Sequence, residues 1–286
     1  MTRRLFPMAC CLFVIAVAGC QTAREVPQYT IQDFLGTTSF QGASFSPDNS
    51  KILVSSNQTG IFNAYAIPVA GGDPVQLTNS TGNAISVRGY FPNDERFLYS
   101  SDQGGNELNH LYVQELSGPV TDLTPGDKLK AAFYGWAWDD KSFYVGTNER
   151  DAKYFDVYEY SPDDYSRKMI FQNDAGYNFA GVSPDRRFIA LSKTETRTNS
   201  DMYLYDTVSK KITLISEHEG EIVHSPQTFS PDGKSLYFLT DRESEFQYLA
   251  RHNFATGERE TVLQADWDIW YAYFSKKGKY LIVGIN

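Results

Sequence analysis

The chain has 286 residues, with 26 Lys and Arg against 35 Asp and Glu, and a formal net charge of −9 at pH 7. This acidic balance provides no cationic excess for phosphate backbones, so a nucleic-acid partner is excluded. Hydrophobic residues make up 41% of the chain and aromatic residues 15%. That composition is typical of a folded globular protein, and it excludes the disordered and collagen-like classes.

The N-terminal residues carry the pattern of an export signal. Two arginines precede a largely apolar run over residues 5–17, which is too short to span a bilayer. The Val-Ala-Gly-Cys sequence at residues 17–20 resembles the lipobox of bacterial lipoproteins, which implies removal of residues 1–19 and lipid attachment to Cys20. Gln21 stands where an Asp retains such lipoproteins in the inner membrane. The resemblance therefore implies an anchor in the outer membrane, facing the periplasm of a Gram-negative bacterium, and an ordinary signal peptide ending in Cys is the alternative.

All three cysteines, Cys10, Cys11 and Cys20, lie in this leader. No disulfide is therefore expected after residue 20, even though the protein is exported to an oxidising compartment. Removing residues 1–19 leaves 24 cations against 35 acids, a net charge of −11. Such an acidic body on a lipid tether is expected to contact an anionic membrane only through its acyl chains.

A repeat organises the sequence after residue 44. Its clearest copies carry Ser-Pro-Asp behind an apolar residue at 45, 182 and 229, and degenerate copies start at 90, 136 and 274. Successive starts are 45 to 47 residues apart. Each copy continues with short runs rich in β-branched and aromatic residues, bounded by Pro, Gly, Asp and Asn, which indicates strands and turns rather than long helices.

Four short strands in each unit of about 45 residues predict an all-β fold, a β-propeller of four-stranded blades that start near these six positions. A β-sandwich is the alternative, but sandwiches do not repeat a turn motif at constant spacing. We expect about five complete blades and, from residues 280–284, the first strand of a sixth, as if the chain were truncated within the ring. Residues 20–44 are expected to form a tether and lead-in strands, and Tyr29–Ile31 or Thr38–Phe40 could supply a strand that closes the ring.

The repeated Ser-Pro-Asp trio is expected to be structural. Pro presets φ for a turn, and the Asp side chain accepts hydrogen bonds from the N–H groups that follow it. Because the same trio recurs in unit after unit, we do not interpret it as a catalytic Ser-Asp pair.

The repeats resemble those of the Tol-Pal propeller and of the N-terminal propellers in the prolyl oligopeptidase family of serine peptidases. Residues 229–238 match that repeat closely. Residues 100–107, followed by 111–113, most resemble the bacterial acylaminoacyl-peptidase or dipeptidyl-peptidase-like branch. The resemblance covers roughly residues 29–286, and it implies a propeller that restricts the access of peptides to an α/β-hydrolase domain with a Ser-Asp-His triad.

The chain lacks the G-x-S-x-G nucleophile elbow of such a hydrolase domain. The nearest strings, residues 42–46 and 181–185, lack the second Gly and coincide with repeat starts. We therefore predict the substrate-gating portion of an exported serine peptidase, with the catalytic domain absent from this chain, no catalytic residue within it and no hydrolysis by it alone. The alternative is a non-enzymatic periplasmic lipoprotein that serves as a protein-binding scaffold, like the Tol-Pal propeller.

The polar loops between the second and third runs of each unit are the predicted contact surface. We expect them at Asn57–Gly60, Asp102–Glu107, Asn148–Asp151, Glu195–Asp201 and Asp241–Glu245. Equivalent loops of a propeller cluster on one face, where a substrate or a second domain is met. The residues predicted to face a substrate or the catalytic domain are Glu149, Arg150, Asp102 and Asn106. A simple surface ion pair explains Glu149 and Arg150 equally well.

No cofactor or metal is predicted. The four histidines, His110, His218, His224 and His252, are scattered over different units without a recognised metal-ligand spacing, and they read as surface or turn residues. The acidic pairs Glu217/Glu219 and Glu243/Glu245 fit solvated strands or loops better than a general acid and base.

Overall fold

The computed structural model describes residues 26–115 and 118–286. The predicted signal peptide and the lipid attachment at Cys20 lie outside the described residues. The chain divides after Thr37 into two units, and the second is Thr38–Asn286. No helix in the described ranges has the length and apolar character needed to cross a membrane.

The only helix among the described residues is α1 (Ile31–Leu35), in the first unit. Thr30 caps it by accepting a hydrogen bond from the N–H of Asp33, whose carboxylate in turn accepts the N–H of Thr30 at 2.7 Å. This capping box satisfies two backbone groups at the helix start. The prediction of a strand at Tyr29–Ile31 is therefore wrong, because the segment begins a helix.

The described part of the second unit forms five four-stranded sheets and one two-stranded sheet, so the all-β prediction is confirmed. Within each sheet, antiparallel strands follow in chain order. Sheet 1 contains β1 (Phe40–Phe45), β2 (Lys51–Ser56), β3 (Asn63–Pro68) and β4 (Val75–Gln76). Sheet 2 contains β5 (Ser86–Tyr90), β6 (Phe97–Ser101), β7 (His110–Gln114) and β8 (Val120–Asp122). Sheet 3 contains β9 (Ala131–Trp136), β10 (Phe143–Asp151), β11 (Tyr154–Tyr160) and β12 (Arg167–Phe171).

The remaining sheets repeat the same plan. Sheet 4 contains β13 (Asn178–Val182), β14 (Phe188–Thr196), β15 (Asn199–Asp206) and β16 (Ile212–Leu214). Sheet 5 contains β17 (His224–Phe229), β18 (Ser235–Thr240), β19 (Tyr248–Asn253) and β20 (Arg259–Leu263). Sheet 6 contains β21 (Ile269–Phe274) and β22 (Leu281–Ile285).

Each repeat motif lies at the end of the first strand of its sheet, so every sheet begins four or five residues before the motif. This offset corrects the prediction for residues 280–284. Residues 281–284 belong to the second strand of sheet 6, because β21 pairs with β22 across a hairpin in which the N–H of Ser275 donates to the carbonyl of Tyr280 at 2.8 Å. Phe40 likewise begins β1 and pairs with Ser56 of sheet 1, rather than closing a ring elsewhere.

The Ser-Pro-Asp motif forms the turn between the first two strands. In sheet 5 the Ser230 hydroxyl donates to Asp232 at 2.6 Å and accepts the N–H of Ser235 at 3.0 Å. The same Asp232 carboxylate accepts the N–H of Lys234 at 3.1 Å. These bonds hold the pKa of Asp232 below its ordinary value, first through the Ser230 hydroxyl. The same pattern recurs at Ser46 with Asp48 and at Ser183 with Asp185.

The core lies between consecutive sheets rather than inside any one of them. Along each second strand, alternate side chains point to the preceding and to the following sheet, as the period of a strand requires. In sheet 5, for example, Leu236 and Phe238 pack on sheet 4, whereas Tyr237 and Leu239 pack on sheet 6. The sheets therefore stack in chain order, in a propeller-like arrangement.

We predict that Ser230→Ala lowers the free energy of unfolding by about 1–2 kcal/mol, because the buried N–H of Ser235 loses its acceptor. Urea unfolding measures the difference. Ser209→Ala, at an exposed turn position, is the control and is expected to change the free energy of unfolding by less than about 0.5 kcal/mol. Equal losses in the two variants would contradict the structural role of the Ser-Pro-Asp turn.

Candidate functional site

In each four-stranded sheet, the loop that follows the second strand lies at the same end as the connection that leads into the first strand. A recurrent clasp joins the two: a side-chain oxygen in the last part of the second strand or just after it accepts the N–H just before the first strand. The clasps are Asn57 with Ser39 at 2.7 Å, Asn148 with Lys130 at 2.6 Å and Asp241 with Val223 at 2.8 Å. We call this the loop end, formed by residues 57–62, 102–109, 152–153, 197–198 and 241–247.

Two of the predicted loops are strand instead. Residues 148–151 belong to β10, and residues 195–201 are almost entirely divided between β14 and β15. The hairpins continue because cross-strand pairs extend them: Asp151 pairs with Tyr154, and Thr196 pairs with Asn199.

Arg150, one of the predicted contact residues, is held by the buried carboxylate of Asp156. Its Nε and Nη2 donate to the two oxygens of Asp156 at 2.7 and 2.9 Å, in a bidentate geometry. Nη2 also contacts Asp174 at 2.8 Å and the carbonyl of Asn173 at 2.9 Å. Asp156 additionally accepts the N–H of Asn173 at 2.7 Å. The guanidinium therefore joins the β10–β11 hairpin to the segment after β12.

Glu149 and Arg150 do not pair with each other. Glu149 accepts a hydrogen bond from Nη2 of Arg167 at 3.0 Å, across the sheet from Arg150 and its partners. Neighbouring residues of a strand point to opposite faces, which is why the two side chains find different partners. The interpretation as one simple ion pair is therefore wrong.

Asp102 and Asn106 lie together in the loop between β6 and β7. Asp102 accepts the N–H of Glu107 at 2.9 Å, and Asn106 accepts the N–H of Leu108 at 2.9 Å. Both side chains thus shape this loop, which belongs to sheet 2, whereas Glu149 and Arg150 belong to sheet 3. Contact with a substrate or a second domain stays a prediction for all four residues.

We predict that Asp156→Ala lowers the free energy of unfolding by about 2 kcal/mol, because the buried N–H of Asn173 loses its acceptor and Arg150 its principal partner. Denaturant unfolding measures the loss. Asp174→Ala is the matched control, since that carboxylate is 64% exposed and pairs with the same arginine. A loss in Asp174→Ala as large as that in Asp156→Ala would disprove the assignment of Asp156 as the anchor.

A cavity of about 540 Å³ lies at the opposite end of the sheets, which we call the turn end because the first-to-second-strand turns form it. Its walls come from the first strands and turns of sheets 1, 2, 3 and 6. The aromatic and charged side chains of the lining include Phe45, Arg88, Trp136, Trp138, Asp140, Phe274 and Lys276. Hydrolysis of a glycosidic bond by general acid and base catalysis needs two carboxylates. The lining contains one, Asp140, and Lys276 pairs with it at 3.0 Å.

The first strands bulge where they border the turns. Register shifts occur at Gly89, beside Gly135 and at Gly181, and these glycines have φ of 149°, 123° and 154°. Such φ values are strained for other residues, so the glycines permit the bulge. Their recurrence one residue before the motif is the sequence signal that marks this end, and the Ser-Pro-Asp motif by itself does not contain it.

Three of the four histidines are buried, contrary to the expectation of surface or turn positions. His218, His224 and His252 lie between sheets 4 and 5, with the rings of His218 and His224 5.0 Å apart. Neither ring nitrogen of His224 has a protein hydrogen-bond partner. Burial, together with the nearby charges of His218, Arg259 and Arg242, lowers the pKa of His224 to about 4. Within the described ranges no three His, Cys, Asp or Glu side chains come together as metal ligands.

This burial predicts a pH-dependent stability. The folded-state pKa of His224 lies below its ordinary value of 6.5, so protonation favours the unfolded chain. The free energy of unfolding is expected to fall as the pH decreases from about 6.5 to 4.5, and burial of His252 acts in the same direction. Urea titrations across this range measure the slope, which His224→Gln should flatten. A His224→Gln profile parallel to that of the parent chain would contradict the assignment.

No protein-family model matches the chain. Dipeptidyl aminopeptidase BIII from Pseudoxanthomonas mexicana is 28% identical over 230 residues, which make up 77% of this chain and 32% of that protein. The chain thus spans about a third of the length of this curated relative.

Solved structures share the fold. An oligogalacturonate lyase from Vibrio parahaemolyticus superposes with a TM-score of 0.62 and 16% identity, over 83% of this chain and 68% of the other. Prolyl oligopeptidase B from Galerina marginata superposes with a TM-score of 0.58 and 12% identity, over 83% of this chain and 39% of the other. At these identities the likeness concerns the fold alone. The sequence match and the shared fold together show that the chain is similar to the N-terminal propeller region of prolyl-oligopeptidase-family serine peptidases.

Proposed function

We propose that the chain is the substrate-gating propeller of an exported serine peptidase that acts on peptides. This role is supported by the 28% identity to a dipeptidyl aminopeptidase over 230 residues. Those residues correspond to about a third of that relative. The catalytic α/β-hydrolase domain is proposed to lie outside these 286 residues, because they contain no G-x-S-x-G elbow. In this arrangement the propeller selects and admits peptides, and the partner domain cleaves them.

One structural observation favours a longer propeller than the described sheets. In sheet 3 the Tyr134 ring lies over Gly146, leaving no room for a Cβ, and Phe179 of sheet 4 stacks on that ring at 4.7 Å. In sheet 6 the Tyr271 ring lies over Gly284 in the same way. Tyr271 is nevertheless 48% exposed.

The far face of sheet 6 therefore carries a tyrosine ring over a glycine, as the covered face of sheet 3 does, although the two tyrosines occupy different repeat positions. Trp270 and Tyr273 on the same strand are also largely exposed, at 62% and 51%. Contiguous apolar surface of this kind marks a contact site. We infer that a further sheet of the repeat covers it in the intact protein and supplies the counterpart of Phe179.

The loop end and the adjoining end of β10 are proposed to face the substrate or the catalytic domain, through Asp102 and Asn106 in the loop and Glu149 and Arg150 on the strand. Arg150 supports this role, because its pairing with Asp156 uses Nε and Nη2 and a third of its side chain stays exposed. Its Nη1 has no protein partner among the described residues. An orientated guanidinium with one free edge is suited to a peptide carbonyl or carboxylate.

Export and anchoring complete the proposal. The leader and the lipobox-like sequence support attachment of the mature chain to the outer membrane through a lipid on Cys20, facing the periplasm. The net charge of the mature chain keeps its body off an anionic lipid surface, so the membrane contact is confined to the acyl chains.

The endogenous product tests the proposal. We predict a mass well above the 32.3 kDa of this chain and labelling of that product by a fluorophosphonate, which reacts with activated serines. Immunodetection of this region in membrane fractions, followed by intact mass spectrometry, measures the first property. This chain, produced alone, is the control and should neither label nor cleave a dipeptide amide.

A product slightly below 32.3 kDa before lipid is added would contradict the peptidase assignment. It would indicate the free-standing scaffold instead, and capture of an envelope protein would then identify its partner. Cleavage of a peptide amide by this chain alone would also overturn the proposal, since no nucleophile, base or oxyanion hole is assigned within it.

A further inference from the structure

The turn-end cavity contains one arginine whose charge is uncompensated. Arg88 lies on β5, and its Nε donates to the buried hydroxyl of Ser100 at 3.0 Å. No carboxylate pairs with Arg88 in the described part of the chain, and its two Nη atoms have no hydrogen-bond partner there. The other charged groups of the lining, Lys276 and Asp140, neutralise each other at 3.0 Å. The cavity therefore has a net positive charge within a protein whose overall charge is −9.

Arg88 is exposed to solvent within the open cavity, and no acid among the described residues compensates its charge. Partial desolvation by neighbouring atoms lowers the pKa of Arg88 from its ordinary value, although the group stays charged at any physiological pH.

The fold does not require an arginine at this place. The repeat provides an internal comparison, because each copy contributes the equivalent residue two positions before its motif. Only the copy in sheet 2 is charged there, and the residues are Ala43, Arg88, Tyr134, Ala180, Gln227 and Ala272. Packing and turn formation thus succeed with small, aromatic or neutral polar side chains.

Aromatic side chains line the same cavity as Arg88. Phe45 is 58% exposed, and Trp136 and Trp138 border the same space from sheet 3. Phe274 of sheet 6 lines the cavity beside Trp138, with the centroids of the two rings 6.5 Å apart. Aromatic walls with a single placed charge are characteristic of sites for small organic ligands, and about 540 Å³ is within the range of such sites.

We propose that the turn-end cavity binds an organic carboxylate that carries an aromatic or other flat apolar group. The carboxylate accepts hydrogen bonds from the Nη atoms of Arg88, whose side chain Ser100 holds in position. The apolar part packs against Phe45 and Trp138. A phosphate is less well matched, because Arg88 is the one unpaired cation of the described lining and Lys276 is already paired with Asp140.

Calorimetric titration of this chain with phenylacetate and phenylacetamide tests the assignment. The two probes have the same ring and differ in charge, so the acid is expected to bind at least about tenfold more tightly than the amide. Arg88→Gln should abolish that preference. Arg251→Gln is the control, because Arg251 lies on sheet 5 and pairs with Glu260 away from the cavity.

Further comparisons separate the parts of the proposal. Phe45→Ser, at an exposed position, should weaken both probes without changing the preference for the acid. Tighter binding of N-acetyl-glycyl-phenylalanine than of phenylacetate would identify a peptide C-terminus as the ligand. Equal binding of the two would identify a small free acid. Absence of binding, equal affinity for acid and amide, or an unchanged preference in Arg88→Gln would overturn the proposal. These titrations use no peptidase substrate, so their outcome is independent of the proposed function.

Discussion

Face-to-face packing of consecutive sheets is the interaction on which the rest of this structure depends. Each sheet has two apolar faces, and exposure of either face to water is energetically unfavourable. Leu53 and Leu98 are completely buried because each points from its second strand to the following sheet. The aromatic face of sheet 6 has no such cover among the described residues, and Trp270, Tyr271 and Tyr273 are largely exposed there.

Stacking also gives the assembly two chemically different ends. At the loop end, side-chain clasps such as Asn148 with Lys130 satisfy backbone groups and leave polar loops exposed. At the turn end, ion pairs join neighbouring turns, as Arg186 of sheet 4 does with Asp139 of sheet 3. The bulges beside these turns open the space that Arg88 enters. A gating role and a ligand cavity can therefore coexist without sharing residues.

Two basic side chains without acidic partners among the described residues stand out in this acidic protein. Most arginines of the described chain have carboxylate partners, as Arg150 has in Asp156 and Arg186 in Asp139. Arg88 has none there, and His224 is buried without a hydrogen bond to either ring nitrogen. The two sites differ in exposure: burial keeps the histidine neutral, whereas the arginine stays charged and open to solvent, where an anion can reach it.

Local spacing determined the class of this protein, whereas tertiary contacts determined its sites. The 45-to-47-residue period and the Ser-Pro-Asp turn were readable from the sequence because the bonds of that turn span at most five residues, as from Ser230 to Ser235. The partners of Arg150 are 6 to 24 residues away, on other strands or beyond them, and no local pattern announces which acid it meets. Arg88 and Phe274 are likewise far apart in the chain, and only the stacking of four sheets around one cavity brings them together.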